Sequence, residues 1–133
     1  MTRVKVLALD YGSARTGVAV SDPTGTLARP LGVVERAFTE NGLAELARLA
    51  REEEVERIVV GLPLTLRGTR GEQAAETERF VQALRGVVEV PVELYDERFT
   101  TDLAHQTAGS APEDALAAAH LLSTYLEWCA ARP

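Results

Sequence analysis

The sequence lacks the features that mark secreted and membrane proteins. Cys129 is the only cysteine among 133 residues, so no internal disulfide can form. No apolar run approaches the roughly 20 residues that a membrane-spanning helix needs. The residues after Met1 lead straight into a predicted strand, without the apolar core of a signal peptide. These absences predict one soluble domain over residues 1–133 that has a cytoplasmic location and no membrane partner.

Positive charge is also scarce. The formal net charge is −6, the isoelectric point is about 5.0, and Lys5 is the only lysine. A negative net charge argues against a protein that coats nucleic acid through its overall charge. It leaves room for an enzyme with an acidic metal centre and a local rim of arginines, because arginine makes bidentate contacts with phosphate. A general coding preference for arginine explains the same composition.

The apolar pattern predicts alternating strands and helices. Strands are predicted at 4–9, 18–20, 31–34, 58–62 and 91–95, and helices at 41–54, 72–84 and 111–128. The last helix is predicted to follow a capping box in which Ser110 is the cap and Glu113 its partner. We expect Asn41 to cap the first helix, and Leu116, Ala119 and Leu122 to face the core from the last one. The order β-β-β-α-β-α-β-α predicts an α/β fold in which helices flank a mixed β-sheet that opens with an antiparallel meander.

Acidic residues lie at the ends of three predicted elements. Asp10 ends the first strand before a glycine turn, Asp96 and Glu97 follow the last strand, and Asp114 lies in the first turn of the last helix. Ligand sites in open α/β sheets form beyond the carboxyl ends of the strands. These acids can therefore share one rim if the last helix docks across it.

Carboxylates that meet at one place repel each other, and a hard cation such as Mg²⁺ or Mn²⁺ removes that penalty. Two such ions could activate a water and stabilise the leaving oxygen of a phosphodiester. Each acid also has a structural explanation. Asp10 could cap its turn, Asp96 and Glu97 could be a solvated strand end, and Asp114 could stabilise the start of its helix.

Four segments resemble, in the same order, the motifs of the bacterial YqgF family. They are DYGSARTGVAVSD at 10–22, GLPL with GT within 61–69, DERFTT at 96–101, and DALAA with LL and YL within 114–126. The resemblance covers nearly the whole chain. It implies a ribonuclease-H-like fold and a metal-dependent nuclease that uses Mg²⁺ or Mn²⁺. Its implied activity is either maturation of the 5′ end of pre-16S ribosomal RNA or resolution of Holliday junctions.

The same resemblance implies roles for individual residues. The catalytic, metal-binding acids are Asp10, Glu97 and Asp114, and Glu97 takes this role rather than Asp96 because it is the middle of the Asp-Glu-Arg block. Arg15 is a candidate for binding substrate phosphate or for holding the acids in place.

Arg98 is, like Arg15, a candidate for binding substrate phosphate or for holding the acids in place. Further substrate-binding candidates are Arg67 and Arg70 in the loop after the fourth strand. Exposed arginines also simply solvate a surface. The sequence departs from the family pattern at two places. Thr65 and Arg67 stand where the family usually has Asn and Asp, and residues 106–110 lack the usual basic stretch.

Four functions compete at this stage. The leading hypothesis is a nuclease that acts on structured RNA, and the second is a resolvase of branched DNA, which needs a homodimer to make paired cuts. A phosphotransferase of the actin and sugar-kinase type also begins with a strand-ending Asp and a glycine turn, but it needs two lobes. A ribosome-assembly factor that binds RNA without cutting it would suit the acidic composition. The oligomeric state is left open between monomer and homodimer.

Overall fold

The computed structural model describes residues 4–62, 71–96 and 113–131. In chain order the elements are β1 (Val6–Asp10), β2 (Arg15–Ser21), β3 (Ala28–Glu35), α1 (Glu40–Glu52), β4 (Arg57–Leu62), α2 (Glu72–Arg85), β5 (Val92–Asp96) and α3 (Glu113–Ala131). The predicted order of strands and helices is confirmed. None of the helices in these ranges combines the length and the apolar character needed to cross a membrane.

The five strands form one sheet in the order β3-β2-β1-β4-β5. β1 and β2 pair antiparallel, as do β2 and β3, whereas β4 runs parallel to both β1 and β5. The α/β class and the mixed sheet are therefore confirmed. The carboxyl ends of β1, β4 and β5 lie at the same edge of the sheet, which is the edge where the sequence predicts a site.

Side chains of β1 alternate between two apolar cores. Leu7 and Leu9 join the core under α1 and α2, whereas Val6 and Ala8 join the core under α3. All four are at most 2% exposed. Because both faces of the strand are covered, the sequence here is a continuous apolar run instead of an alternating one.

The start of α1 differs from the prediction. Thr39 is the N-cap, and its Oγ1 accepts a hydrogen bond of 3.1 Å from the amide of Gly42. Asn41 is an exposed residue of the first turn, so its predicted capping role is wrong. The helix begins at Glu40 because the Thr39 hydroxyl satisfies the free amide of Gly42 in the first turn. Gly42 itself is closely packed, since a Cβ there would stand 2.3 Å from the carbonyl oxygen of Arg36.

Two further predictions need correction. β2 begins at Arg15, three residues before the predicted start at residue 18, so Gly17 lies within the strand. The buried face of α3 includes Ala115 and Ala118, whereas Leu116 and Ala119 are only partly buried. In its first two turns the helix is buried through Ala115 and Ala118, whose small side chains allow close approach to the sheet, and the larger Leu116 is left at the margin.

Candidate active site

Asp10 is the last residue of β1 and lies half-buried at the carboxyl edge of the sheet. It pairs with Gly17 of β2. Successive side chains of a strand point to opposite faces, so Asp10 shares the face of Val6 and Ala8, which is covered by α3. The position of this acid agrees with the prediction from the sequence.

The first turn of α3 lies directly on Gly17. A Cβ built on Gly17 would stand 1.8 Å from the carbonyl oxygen of Asp114 and 3.1 Å from the amide nitrogen of Ala115. Only a residue without a side chain permits this approach, and Gly17 is the pairing partner of Asp10. The structure therefore brings Asp10 and Asp114, from distant parts of the chain, to the same edge and face of the sheet.

Arg15 contacts the second of these acids. Its Nε lies 3.1 Å from Oδ2 of Asp114, and the two side chains are 65% and 35% exposed. An exposed pair of this kind contributes at most about 1 kcal/mol to stability. The contact places the Arg15 guanidinium beside the Asp114 carboxylate, and both predicted roles of Arg15, binding substrate phosphate or holding an acid in place, stay predictions.

Asp96 does not join this cluster. It is the last residue of β5 and lies on the same face of the strand as Val92 and Leu94, which belong to the core under α1 and α2. It therefore points to the opposite face from Asp10. Since β4 separates β1 from β5, the two main chains are also about 10 Å apart.

The remaining predicted site residues, Glu97, Arg67, Arg70 and Arg98, lie outside the described residues. Within ranges 4–62, 71–96 and 113–131, no group of three His, Cys, Asp or Glu side chains is close enough to hold a metal ion. The two carboxylates of Asp10 and Asp114 supply hard oxygen ligands, the type that Mg²⁺ and Mn²⁺ prefer. The donor chemistry thus fits the predicted ions.

A hydrogen-bonded cluster beside Asp10 has no counterpart in the sequence predictions. Oε2 of Glu76, on α2, accepts a bond of 2.5 Å from the Tyr11 hydroxyl and one of 2.8 Å from Oγ of Ser13. The Tyr11 ring stacks on Phe80 with a centroid separation of 4.4 Å. Glu76 has the pattern of a solvated helix residue, so no sequence signal marks it as a partner of this turn.

The cluster shifts the acidity of its members. Burial raises the pKa of Tyr11 well above its ordinary value, and the hydrogen bond and negative charge of Glu76 act in the same direction. The hydrogen bonds from Tyr11 and then Ser13 lower the pKa of the Glu76 carboxyl. Near neutral pH, Tyr11 is therefore a hydrogen-bond donor and Glu76 an ionised acceptor.

Sequence comparison identifies close relatives of this chain. The family model described as "RuvX: Holliday junction resolvase" matches residues 4–128. A protein of Chloroflexus aggregans named "Putative pre-16S rRNA nuclease" is 43% identical, and the alignment covers 96% of each chain. A protein of the same name from Syntrophomonas wolfei is 35% identical, with 93% of this chain and 94% of the relative aligned.

Solved structures share the fold. RuvC of Thermus thermophilus, solved with a Holliday junction substrate, matches with a TM-score of 0.63 and 19% identity over 98% of this chain and 99% of its own. The Holliday junction resolvase of fowlpox virus, also solved with a junction, matches with a TM-score of 0.55 and 12% identity over 94% and 98%. These likenesses confirm the predicted ribonuclease-H-like fold. Because the family match spans residues 4–128, the chain belongs to the RuvX family, also known as YqgF.

Proposed function

We propose that this protein is a metal-dependent nuclease that hydrolyses phosphodiester bonds in structured RNA and processes the 5′ end of pre-16S ribosomal RNA. The contact between Gly17 and the first turn of α3 carries this proposal, because it brings Asp114 beside Asp10. The names of the curated relatives support the RNA substrate. The activity belongs in the cytoplasm, where ribosomes are assembled, and the single sheet shared by all described strands supports one catalytic domain over residues 1–133.

Three acids are proposed to hold the metal: Asp10, Asp114 and Glu97. Asp10 and Asp114 share one face of the sheet edge, and Asp96 points to the other face. The orientation of Asp96 supports Glu97 as the third ligand, as the family motif implies. When bound, Mg²⁺ or Mn²⁺ supplies Lewis acidity for hydrolysis of the phosphodiester. The protein contributes fixed carboxylates, and the contact with Arg15 orients one of them.

The proposed substrate contacts come from arginines. Arg15 lies at the rim with 65% of its side chain exposed, so its guanidinium can reach a phosphate while it borders Asp114. Arg67, Arg70 and Arg98 are proposed as further phosphate contacts from their positions in the sequence. Local positive charge of this kind offsets the net charge of −6, which disfavours binding of nucleic acid by the surface as a whole.

A second candidate is resolution of Holliday junctions. It is favoured by the description of the matching family model. Paired cuts in a four-way junction require two active sites related by two-fold symmetry, so this function requires a homodimer. Sedimentation of the purified protein, alone and with junction DNA, separates a monomer from a homodimer.

Cleavage assays test the proposal. The protein is incubated with Mg²⁺ or Mn²⁺ and either an RNA that carries the extended 5′ end of 16S rRNA or a four-way DNA junction. We expect cleavage of the RNA, and a loss of about 100-fold or more in kcat for Asp10→Asn and Asp114→Asn, beyond the range that outer-shell substitutions produce.

Asp22→Asn is the matched control, because Asp22 accepts hydrogen bonds from the amides of Thr26 and Leu27 in a turn between β2 and β3. It should cut like the parent. Cleavage of the junction alone would establish the resolvase instead. Binding of the RNA without cleavage of either substrate would contradict the nuclease and indicate an assembly factor.

A further inference from the structure

The turn between β1 and β2 joins two residues of the candidate site. Residues 11–14 are the covalent connection between Asp10, at the end of β1, and Arg15, at the start of β2. Arg15 in turn contacts Asp114. A shift of this turn therefore moves an acid and the guanidinium that orients a second acid. Contacts that fix the turn therefore restrain these two residues in addition to the pairing of Asp10 with Gly17.

The turn is held from α2 by one carboxylate. Oε2 of Glu76 accepts hydrogen bonds from the hydroxyls of Tyr11 and Ser13, which lie on either side of Gly12. Hydrogen bonds to an ionised acceptor are roughly twice as strong as neutral ones. Two such bonds to the same oxygen tie two positions of the turn to one point on the helix.

The main donor is itself fixed. The Tyr11 side chain is 6% exposed, stacks on Phe80 and meets Phe38 edge-on at a centroid separation of 6.5 Å. The packing of the ring therefore fixes the direction of the hydroxyl, and Glu76 lies in that direction. By contrast Ser13 is exposed, so it is the weaker of the two attachments.

The main chain of the turn is closely packed. A Cβ on Gly12 would stand 2.5 Å from the carbonyl oxygen of Arg15, so the main chain closes tightly on itself at this point. The carbonyl of Ala14 accepts a bond of 2.9 Å from the amide of Arg36. A tight turn transmits a displacement at Tyr11 to its neighbours instead of absorbing it.

We propose that Glu76 is a positioning residue of the nuclease: through Tyr11 and Ser13 it holds the turn that directs Asp10 towards Asp114. This inference rests on the proposed function, because it concerns the acids that the function requires. The site is then held from both faces of the sheet, by the contact of α3 with Gly17 on one side and by Glu76 of α2 on the other.

Four variants test this role: Glu76→Ala, Glu76→Gln, Tyr11→Phe and, as the matched control, Glu72→Ala. Glu72 is an exposed acid in the first turn of the same helix. Calorimetry gives the Kd of Mn²⁺, steady-state assays give kcat and KM, and urea unfolding gives stability. We expect Glu76→Ala to weaken Mn²⁺ binding about tenfold and to lower kcat similarly with little change in KM, as removal of supporting residues does at other metal sites.

Glu76→Gln keeps an oxygen that accepts both hydroxyls, so it should stay within about twofold of the parent, well short of the tenfold or greater loss of a missing support. Tyr11→Phe should fall between Glu76→Gln and Glu76→Ala, because the bond from Ser13 remains. The role is overturned if Glu76→Ala binds Mn²⁺ and cuts like Glu72→Ala. It is also overturned if Glu76→Gln is as impaired as Glu76→Ala, since the hydrogen bonds would then be irrelevant.

A separate readout distinguishes this proposal from the nuclease proposal. If the parent protein neither binds Mn²⁺ nor cuts RNA, the nuclease proposal fails. Hydrogen exchange of the amides at 12–14 then still measures the attachment of the turn. Faster exchange in Glu76→Ala than in Glu72→Ala supports the positioning of the turn by Glu76, and equal exchange contradicts it.

Discussion

The two ends of α3 meet the sheet in different ways. At its C-terminal end the contact is made by side chains and is deeply buried. Tyr125 is 1% exposed, its hydroxyl donates to Glu93 of β5, and it accepts a bond of 2.9 Å from Nη1 of Arg57 at the start of β4. The rings of Tyr95 and Trp128 pack beside it.

At the N-terminal end the contact is made by the main chain. The carbonyl oxygen of Asp114 lies on Gly17, and the Asp114 side chain stays 35% exposed beside Arg15. Attachment and chemistry are thus separated along one helix. The far end binds the helix to the sheet through side chains, and the near end makes its contact through the backbone, which leaves the carboxylate of Asp114 partly exposed for the metal-binding role that we propose. Four predictions test this division.

The largest effect is expected at a core residue of the far half. Leu122 is fully buried under the sheet. Leu122→Ala should lower the free energy of unfolding by about 3 kcal/mol, because it removes apolar contacts and leaves a cavity. Urea unfolding measures this loss, with Leu27→Ala as the control since Leu27 is 69% exposed. The folded fraction should bind Mn²⁺ with unchanged affinity, and weaker binding would mean that the two ends are not separate.

Gly17→Ala should damage the near end. The new Cβ would stand 1.8 Å from a carbonyl oxygen, so the first turn of α3 must move away from β2. We expect a loss of about 2 kcal/mol from overpacking, together with loss of measurable Mn²⁺ binding. Gly71→Ala is the control, because nothing lies within 4 Å of a Cβ built on Gly71. Since Gly71 is the N-cap of α2, this substitution lowers the free energy of unfolding by up to about 1 kcal/mol on its own. Retained Mn²⁺ affinity in Gly17→Ala would contradict the role of this contact.

Tyr125→Phe removes the hydroxyl that links Arg57 to Glu93. The expected loss of stability is about 1.5 kcal/mol, because hydrogen bonds to charged groups are the stronger class. The activity of the folded enzyme should not change. Equal stability of the variant and the parent in urea would show that water replaces the lost partner at both residues.

The same variant changes the dependence of stability on alkaline pH. Burial raises the pKa of Tyr125 above its ordinary value, and its hydrogen bond to Glu93 adds to this shift. The stability that comes from this raised pKa is complete below pH 10, which is about the pKa of tyrosine in the unfolded chain. It is lost as the pH rises towards the pKa of Tyr125 in the folded protein. The free energy of unfolding should therefore fall above pH 10, and Tyr125→Phe should reduce this slope by up to about 1.4 kcal/mol per pH unit. Tyr11 and Tyr95, whose pKa values are also raised, keep part of the slope in both proteins.

Much of the fold is predictable from the sequence because it depends on local periodicity. The alternation of apolar runs with helical patterns gives the order of all eight elements, and the carboxyl-edge rule gives the place of Asp10. The approach of Asp114 is predicted only on the condition that the last helix docks across that edge. The finer predictions fail where close approach of two backbones decides the outcome. Gly42 packs against the backbone of Arg36 and Ala37 at the start of α1, and Gly17 packs against the backbone of the first turn of α3.

The attachment of the turn by Glu76 was beyond sequence reasoning for a different reason. Tyr11 and Glu76 are separated by 65 positions, and neither lies in a pattern that requires the other. An acid on a helix surface has the same appearance whether water or a distant hydroxyl is its partner. Only the hydrogen bonds between α2 and the turn after β1 make the difference visible.

The position of Asp114 on the last described helix bears on how the protein is made. A nascent chain releases β1, β2 and their turn early in synthesis, but α3 leaves the ribosome only after the sheet strands have emerged. Until then Asp114 has not yet reached the sheet edge, and the sheet face that α3 covers remains apolar and open. On the proposed assignment of Asp10 and Asp114 as metal ligands, a partly synthesised chain cannot cut, and cleavage begins only with molecules in which this helix has been made and has docked.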